Sequence, residues 1–232
     1  MFERQPITTT LAGMNVAVFV VMVLTGVPAV TPTALQLLPW GANFAPLSLG
    51  VQPWRLLACT YLHSGIIHIA LNMWCLWNLG QTAERIYDKG TYVGAYLLCA
   101  VGGSIASLGV NPMTVTAGAS GAIFGVAGLL ITTFWMGHLP VPREQSSAMM
   151  RSLMGFAGYN LLFGAAVPGI SNSAHLGGLF TGLVLGGAMS SSLSRDARRP
   201  RGFRWFVLAA ATIALAVLFQ VVKARVIAAY AE

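Results

Sequence analysis

Acidic residues are scarce in this chain. Six Asp and Glu stand against thirteen Lys and Arg in 232 residues, for a formal net charge of +7. Charged residues of both signs make up only 8%, where a soluble domain carries about 25%. That scarcity, beside a hydrophobic content of 56%, excludes an ordinary water-soluble globule. No Asp or Glu falls inside any expected span, so no buried carboxylate is available for a Ser-His-Asp triad. The only aspartates, Asp88 and Asp196, stand in basic segments, which argues against a membrane aspartyl dyad. The H-E-x-x-H pattern of zinc peptidases is missing. Cys59, Cys75 and Cys99 form no C-x-x-C pair and read as small packing residues, with neither a disulfide framework nor a zinc knuckle. No sequence repeat of fixed period is present, which weakens a transporter reading. The positive charge does not point to nucleic acid, because the basic residues lie between apolar segments and act as topology signals.

What is abundant is uncharged apolar chain. No Asp, Glu, Lys or Arg occurs between Arg4 and Arg55, Arg55 and Glu84, Lys89 and Arg143, Arg151 and Arg195, or Arg204 and Lys223. A helical span needs about 20 apolar residues, and Pro28 to Pro32, Asn111-Pro112 and Pro168-Gly169 break the longer intervals. The pattern predicts seven helices near 10–29, 65–80, 91–108, 117–136, 149–166, 173–191 and 204–222. The N-terminal segment shows no small-x-small cleavage site and is expected to remain as the first span. With the N-terminus cytoplasmic, ten basic residues fall inside (Arg4, Arg85, Lys89, Arg143, Arg151, Arg195, Arg198, Arg199, Arg201, Arg204). Three (Arg55, Lys223, Arg225) fall outside, a strong positive-inside bias. Residues 30–64, with Trp40 and Trp54, are expected along the membrane interface. Residues 192–204 read as a basic inner linker to the seventh helix.

Polar groups at membrane depth are functional candidates. Ser120 lies in Thr116-Ala117-Gly118-Ala119-Ser120-Gly121, near the outer N-terminal end of the fourth span, where backbone N–H groups favour developing negative charge. Gly118, Gly121, Gly125 and Gly128 give that span a smooth face. His175 opens the sixth span, with Gly178, Gly182 and Gly186 on its own face. If the two glycine faces meet, Ser120 and His175 share one depth as nucleophile and base. A lone serine at such a contact is commonly a packing residue bonded to the preceding turn, so the pairing carries the reading. His68 and Asn72, at i and i+4 of the second span, are hydrogen-bond donors fit for an oxyanion site. They also fit a plain polar patch between helices. Metal binding by His63 and His68 is disfavoured by their five-residue spacing and the lack of a nearby carboxylate. Neither a metal nor a cofactor is expected. The G-x-S-x-G elbow of soluble hydrolases is not met.

Taken in order, Trp54-Arg55, His68-x-x-x-Asn72, Gly118-Ala119-Ser120-Gly121 and His175 with its glycine ridge resemble the rhomboid family of intramembrane serine proteases, over about residues 10–190. The resemblance implies an all-α polytopic membrane protein, a six-helix core over 1–191, the linker 192–204 and a seventh transmembrane helix with a short tail over 205–232. It implies a serine endopeptidase with Ser120 as nucleophile and His175 as base and then acid. His68, Asn72 and the Ser120 N–H would hold the oxyanion, with His63 beside the water-filled cavity. Trp54-Arg55 would brace the first outer loop, and Glu84 with Arg85 the inner turn. Phe124 stands where many members carry a tyrosine that stacks on the catalytic histidine, so the orienting hydroxyl is lost. The implied substrates are transmembrane proteins in the lipid bilayer, cut near the outer surface, with a bacterial inner membrane as the expected location. A polar cavity open to the outside, with contributions from His63, His68, Asn72 and Asn172, is expected to bring water to Ser120. The alternative is a catalytically inactive rhomboid-like protein that binds membrane clients.

Overall fold

The computed structural model describes residues 5–136, 138–193 and 201–230. Arg4, Arg195, Arg198 and Arg199, counted above in the charge asymmetry, and most of the expected linker lie outside these residues. Among these residues seven long helices run in chain order: α1 Pro6–Leu24, α2 Ile66–Ile86, α3 Lys89–Val110, α4 Ser120–Met136, α5 Arg143–Ala166, α6 Asn172–Ser190 and α7 Arg201–Ala229. Among the described residues no strand forms, and the one isolated bridge joins Asn43 to Thr116.

The helix ends differ from the expected ones for local reasons. Pro6 occupies the first turn of α1, a position where a missing N–H costs nothing. The Glu84 carboxylate, in the last turn of α2, accepts from Ile7 N, Thr8 N and Thr8 Oγ1, each at 2.8 Å. It thereby satisfies orphan donors at the α1 terminus. That tie starts α1 four residues early and carries α2 to Ile86 through its polar turn. Asp88 caps α3 by accepting from Thr91 N and Thr91 Oγ1, and Arg204 of α7 sits 3.3 Å from it. The polar turns from Arg143 are helical too, so α5 begins before the expected residue 149.

Among the described residues, four helices are long and apolar enough to cross a membrane: Pro6–Leu24, Lys89–Val110, Asn172–Leu193 and Gly202–Ala229. Arg55–Tyr61 and Ile66–Ile86 pass the same length and apolarity criterion only when taken together, as a pair bent by 97°. The expected fourth span is only 17 residues long, about 26 Å at 1.5 Å per residue and short of a ~30 Å hydrocarbon core. It is instead the buried centre of the molecule, since all its residues from Gly121 to Leu130 are buried. Its far end is fixed by a 2.6 Å hydrogen bond between Thr133 Oγ1 and Tyr87 OH, at the α2–α3 turn. Gly121 packs against Gly103 of α3, seven residues before that helix ends at Val110, so α4 begins about 9–10 Å short of the end of α3 at 1.5 Å per residue. Ser120, its first residue, is therefore recessed.

Two glycine faces set the closest packing. A Cβ added at Gly178 would fall on the carbonyl of Gly121, at Gly182 on that of Gly125, and at Gly186 on that of Leu129. The faces expected on α4 and α6 do meet. The exception is Gly118, which precedes the helix in an extended segment (φ +131°) and faces His68. α3 joins the same contact, its Gly103 meeting the Ala174 carbonyl. α7 packs along the opposite side of α3, Trp205 and Leu208 lying over Gly90 and Gly94 and Val222 over Gly109.

Candidate active site

The segment before α4 is held by backbone pairing. Asn43 N donates to Thr116 O at 2.8 Å and Thr116 N to Asn43 O at 2.9 Å, while Gly118 N donates to Cys59 O at 2.9 Å. The Asn43 side chain is buried and donates to Ser104 O and Ser107 Oγ, both at 3.1 Å. The loop supplying these anchors is itself braced by Arg55, which is 5% exposed. Its guanidinium donates to Leu38 O (2.7 Å), Ala42 O (3.0 Å) and Gln52 Oε1 (2.6 Å) and lies 5.0 Å from the centre of the Trp54 ring. These internal bonds satisfy main-chain groups of the loop that would otherwise be buried unpaired. Ser120 is delivered to one place by residues 43, 59 and 116.

Ser120, His175, His68 and Asn72 all line one cavity of about 360 Å³. Gly121 packs against the backbone of Ala174, which sets the first turn of α4 beside the first turn of α6. His175 is 5% exposed. Its ring stacks on Phe124 with centroids 4.2 Å apart and planes 9° apart. Phe124 in turn meets Phe156 of α5 at 5.8 Å and 41°. The phenyl ring thus occupies the stacking position, and no hydroxyl is needed for it to hold the imidazole. His175 Nδ1 is buried without a hydrogen-bond partner, and no hydrogen bond joins Ser120 to His175.

His68 lies across from them. Its Nδ1 is 2.9 Å from Ser64 Oγ, and Asn72 Nδ2 donates to the His68 carbonyl at 2.8 Å. An amide nitrogen carries two protons, so Asn72 keeps one for the cavity. Two expectations are corrected. His63 does not line the cavity; it is 0% exposed and packs edge-on against His68, with ring centroids 5.1 Å apart. Asn172 does not line it either, because its Nδ2 donates to Leu161 O and clasps α5 instead. Cys59 and Cys75 line the cavity, while Cys99 packs beneath Gly125. Sequence reasoning missed Phe156, Ser64 and Asn160. Of these, only Ser64 carried a signal, four residues before His68. Among the described residues, no group of three or more His, Cys, Asp or Glu could hold a metal ion.

A family model described as the rhomboid domain matches residues 50–192. The chain belongs to the rhomboid family. It is 34% identical over 177 residues to the rhomboid protease GluP of Bacillus subtilis, covering 76% of this chain and 33% of that protein. RHOMBOID-like protein 4 of Arabidopsis thaliana is 32% identical over 68% of this chain and 40% of its own length. Rhomboid-like protease 1 of Toxoplasma gondii is 31% identical over 80% of this chain and 62% of its own. The chain thus spans between a third and two thirds of these relatives. The matched region includes α2 through α6 and every cavity residue named above, and stops before α7.

Proposed function

We propose that this rhomboid-family chain is an intramembrane serine endopeptidase cutting transmembrane protein substrates with a Ser120–His175 dyad. The observation that carries the proposal is the shared cavity. A hydroxyl at a recessed helix N-terminus, a stacked imidazole and two further donors converge there. Ser120 Oγ attacks the scissile carbonyl carbon as its proton passes to His175. The oxyanion is held by the His68 ring, the Asn72 amide and the Ser120 backbone N–H. Collapse breaks the C–N bond, and His175 returns its proton to the leaving amine. Water then cleaves the acyl ester by the same route. No carboxylate is available to orient His175, and Phe124 takes that part by stacking. Water reaches Ser120 through the cavity, without help from His63 or Asn172.

In this account residues 1–191 form the protease core, 192–204 a basic cytoplasmic linker, and 205–232 a seventh transmembrane helix and tail. The N-terminus is cytoplasmic, which puts the Ser120 end of α4 toward the outer surface of a bacterial inner membrane. A helical substrate must unwind to expose its bond, so small or helix-breaking residues near the cut lower the cost.

The missing Ser120–His175 hydrogen bond favours a second reading, an inactive rhomboid-like binder of membrane clients. Catalytic hydrogen bonds are often long in the free enzyme and tighten with substrate. Cleavage of a transmembrane reporter in proteoliposomes decides between the two. The protease reading expects cleavage that Ser120→Ala abolishes. Cleavage undiminished in Ser120→Ala would sink it, and reporter binding without cleavage by the wild type would establish the binder.

A further inference from the structure

We infer that Ser64 is a positioning residue that fixes the tautomer and heading of the His68 ring. The inference deepens the oxyanion role proposed for His68 and rests on that reading. Ser64 approaches the ring twice: its backbone N–H donates to His68 Nδ1 at 3.3 Å, and its Oγ lies 2.9 Å from the same atom. A backbone N–H can only donate, so Nδ1 must present its lone pair. In a neutral imidazole the proton is then on Nε2. The Ser64 hydroxyl, sharing that lone pair, donates as well.

His68 Nε2 and Ser120 Oγ border the same space beside Gly118. A Cβ built at Gly118 would lie 3.0 Å from His68 Nε2 and 3.8 Å from Ser120 Oγ, so both atoms converge on one point beside the cavity. The opposite tautomer would turn a lone pair toward that point, where negative charge develops in the proposed reaction. Only a hydrogen-bond donor is useful there.

The local fold makes the contact. Gly65 takes φ +121°, and a Cβ there would fall on the Val30 carbonyl. Ile66 N donates to Ala29 O at 2.8 Å, fixing the entry into α2. This left-handed turn folds Ser64 back over the first turn of the helix. The Ser64 hydroxyl caps no backbone amide of α2, whose N-cap residue is Gly65 and has no side-chain cap. His63 flanks the ring edge-on, and the Asn72 amide holds the His68 carbonyl. Ser64 is exposed and lines the cavity, so its hydroxyl is not there to satisfy a buried group. Among the described residues, the ring is its only side-chain hydrogen-bond partner.

The test reads the tautomer directly. Protein labelled with ¹⁵N-histidine is examined by long-range nitrogen–proton correlation in micelles as wild type, Ser64→Ala and Ser64→Thr, with His68 assigned through His68→Asn. The wild type is expected to show His68 as the Nε2–H form. Ser64→Ala is expected to show a mixture of tautomers, with reporter kcat down about tenfold and KM unchanged. Ser64→Thr, which keeps the hydroxyl, is expected to restore both. A His68 Nδ1–H form in the wild type, or a Ser64→Ala spectrum identical to wild type, would overturn the inference. A wild type that cleaves nothing would overturn the protease reading alone, and the spectra would still decide the role of Ser64.

Discussion

Adding one methyl group at Gly178 is expected to disable the site without touching any residue of the proposed machinery. A Cβ at Gly178 falls on the Gly121 carbonyl, with the carbonyl carbon at 2.7 Å and Cα at 3.2 Å. Ordinary contact begins at 3.4 Å, so α4 and α6 must part by at least 0.7 Å, the shortfall at the carbonyl carbon. The atoms met are backbone, which cannot swing aside as a side-chain tip can. Gly121 follows Ser120 directly and Gly178 lies less than one turn after His175, so the separation opens between the proposed nucleophile and its proposed base. A misplacement of about 1 Å can cost on the order of 100-fold in rate. For Gly178→Ala the expected loss in kcat is therefore roughly 10- to 100-fold, with overpacking costing about 1–3 kcal/mol of stability. The assay is reporter cleavage in proteoliposomes beside thermal unfolding in detergent. Gly187→Ala on the same helix is the control, since a Cβ there meets nothing within 4 Å, and it is expected to match wild type in both. Gly178→Ala with kcat within twofold of wild type would refute the claim that glycine contact sets the dyad's spacing.

Three further outcomes follow from the same contacts. Asn72→Ala removes a donor from the cavity and is expected to lower kcat about 10²–10³-fold, with the unfolding midpoint little changed, as read by steady-state kinetics and circular dichroism. Phe124→Ala removes the ring stacked 4.2 Å from His175; kcat is expected to fall while Phe124→Tyr keeps it, and equal rates in the two variants would dismiss stacking as the orienting force. Glu84→Gln weakens three charge-assisted hydrogen bonds to α1, each worth about 1.5–3 kcal/mol when fully formed. It is expected to lower the unfolding temperature clearly while leaving the kcat of folded protein near wild type.

Much of this architecture was legible because membrane helices write their packing into small residues. Gly121, Gly125 and Gly128 at helical spacing, and Gly178, Gly182 and Gly186 at another, defined two faces before any partner was known, and those faces meet. The pairing of Ser120 with His175 in one cavity follows from that contact. What stayed hidden depends on long-range pairing. The anchoring of Thr116 to Asn43 crosses 73 residues by main-chain atoms alone, and no side-chain pattern announces it. The early start of α1 hinges on Glu84, 77 residues from Ile7. His63 was expected at the cavity from the family resemblance and Asn172 as a polar residue at the outer end of the sixth span. One faces inward against His68 and the other is committed to Leu161. Phe156 gave no signal, since an aromatic on an apolar helix is indistinguishable from lipid-facing surface until its neighbour is seen. The fourth helix was expected over 117–136, but Thr116 and Gly118 are held by main-chain pairing, so the helix starts only at Ser120 and spans 17 residues.

The central claim is that Ser120 is a nucleophile activated by His175. Its most direct measurement is labelling of the detergent-solubilised protein with a fluorophosphonate probe, which reacts covalently with an activated serine and requires no knowledge of the substrate. Stoichiometric labelling is expected on the Ser120 peptide in wild type, with none in Ser120→Ala and little in His175→Ala. An unlabelled wild type, or labelling that persists in Ser120→Ala, would contradict the claim.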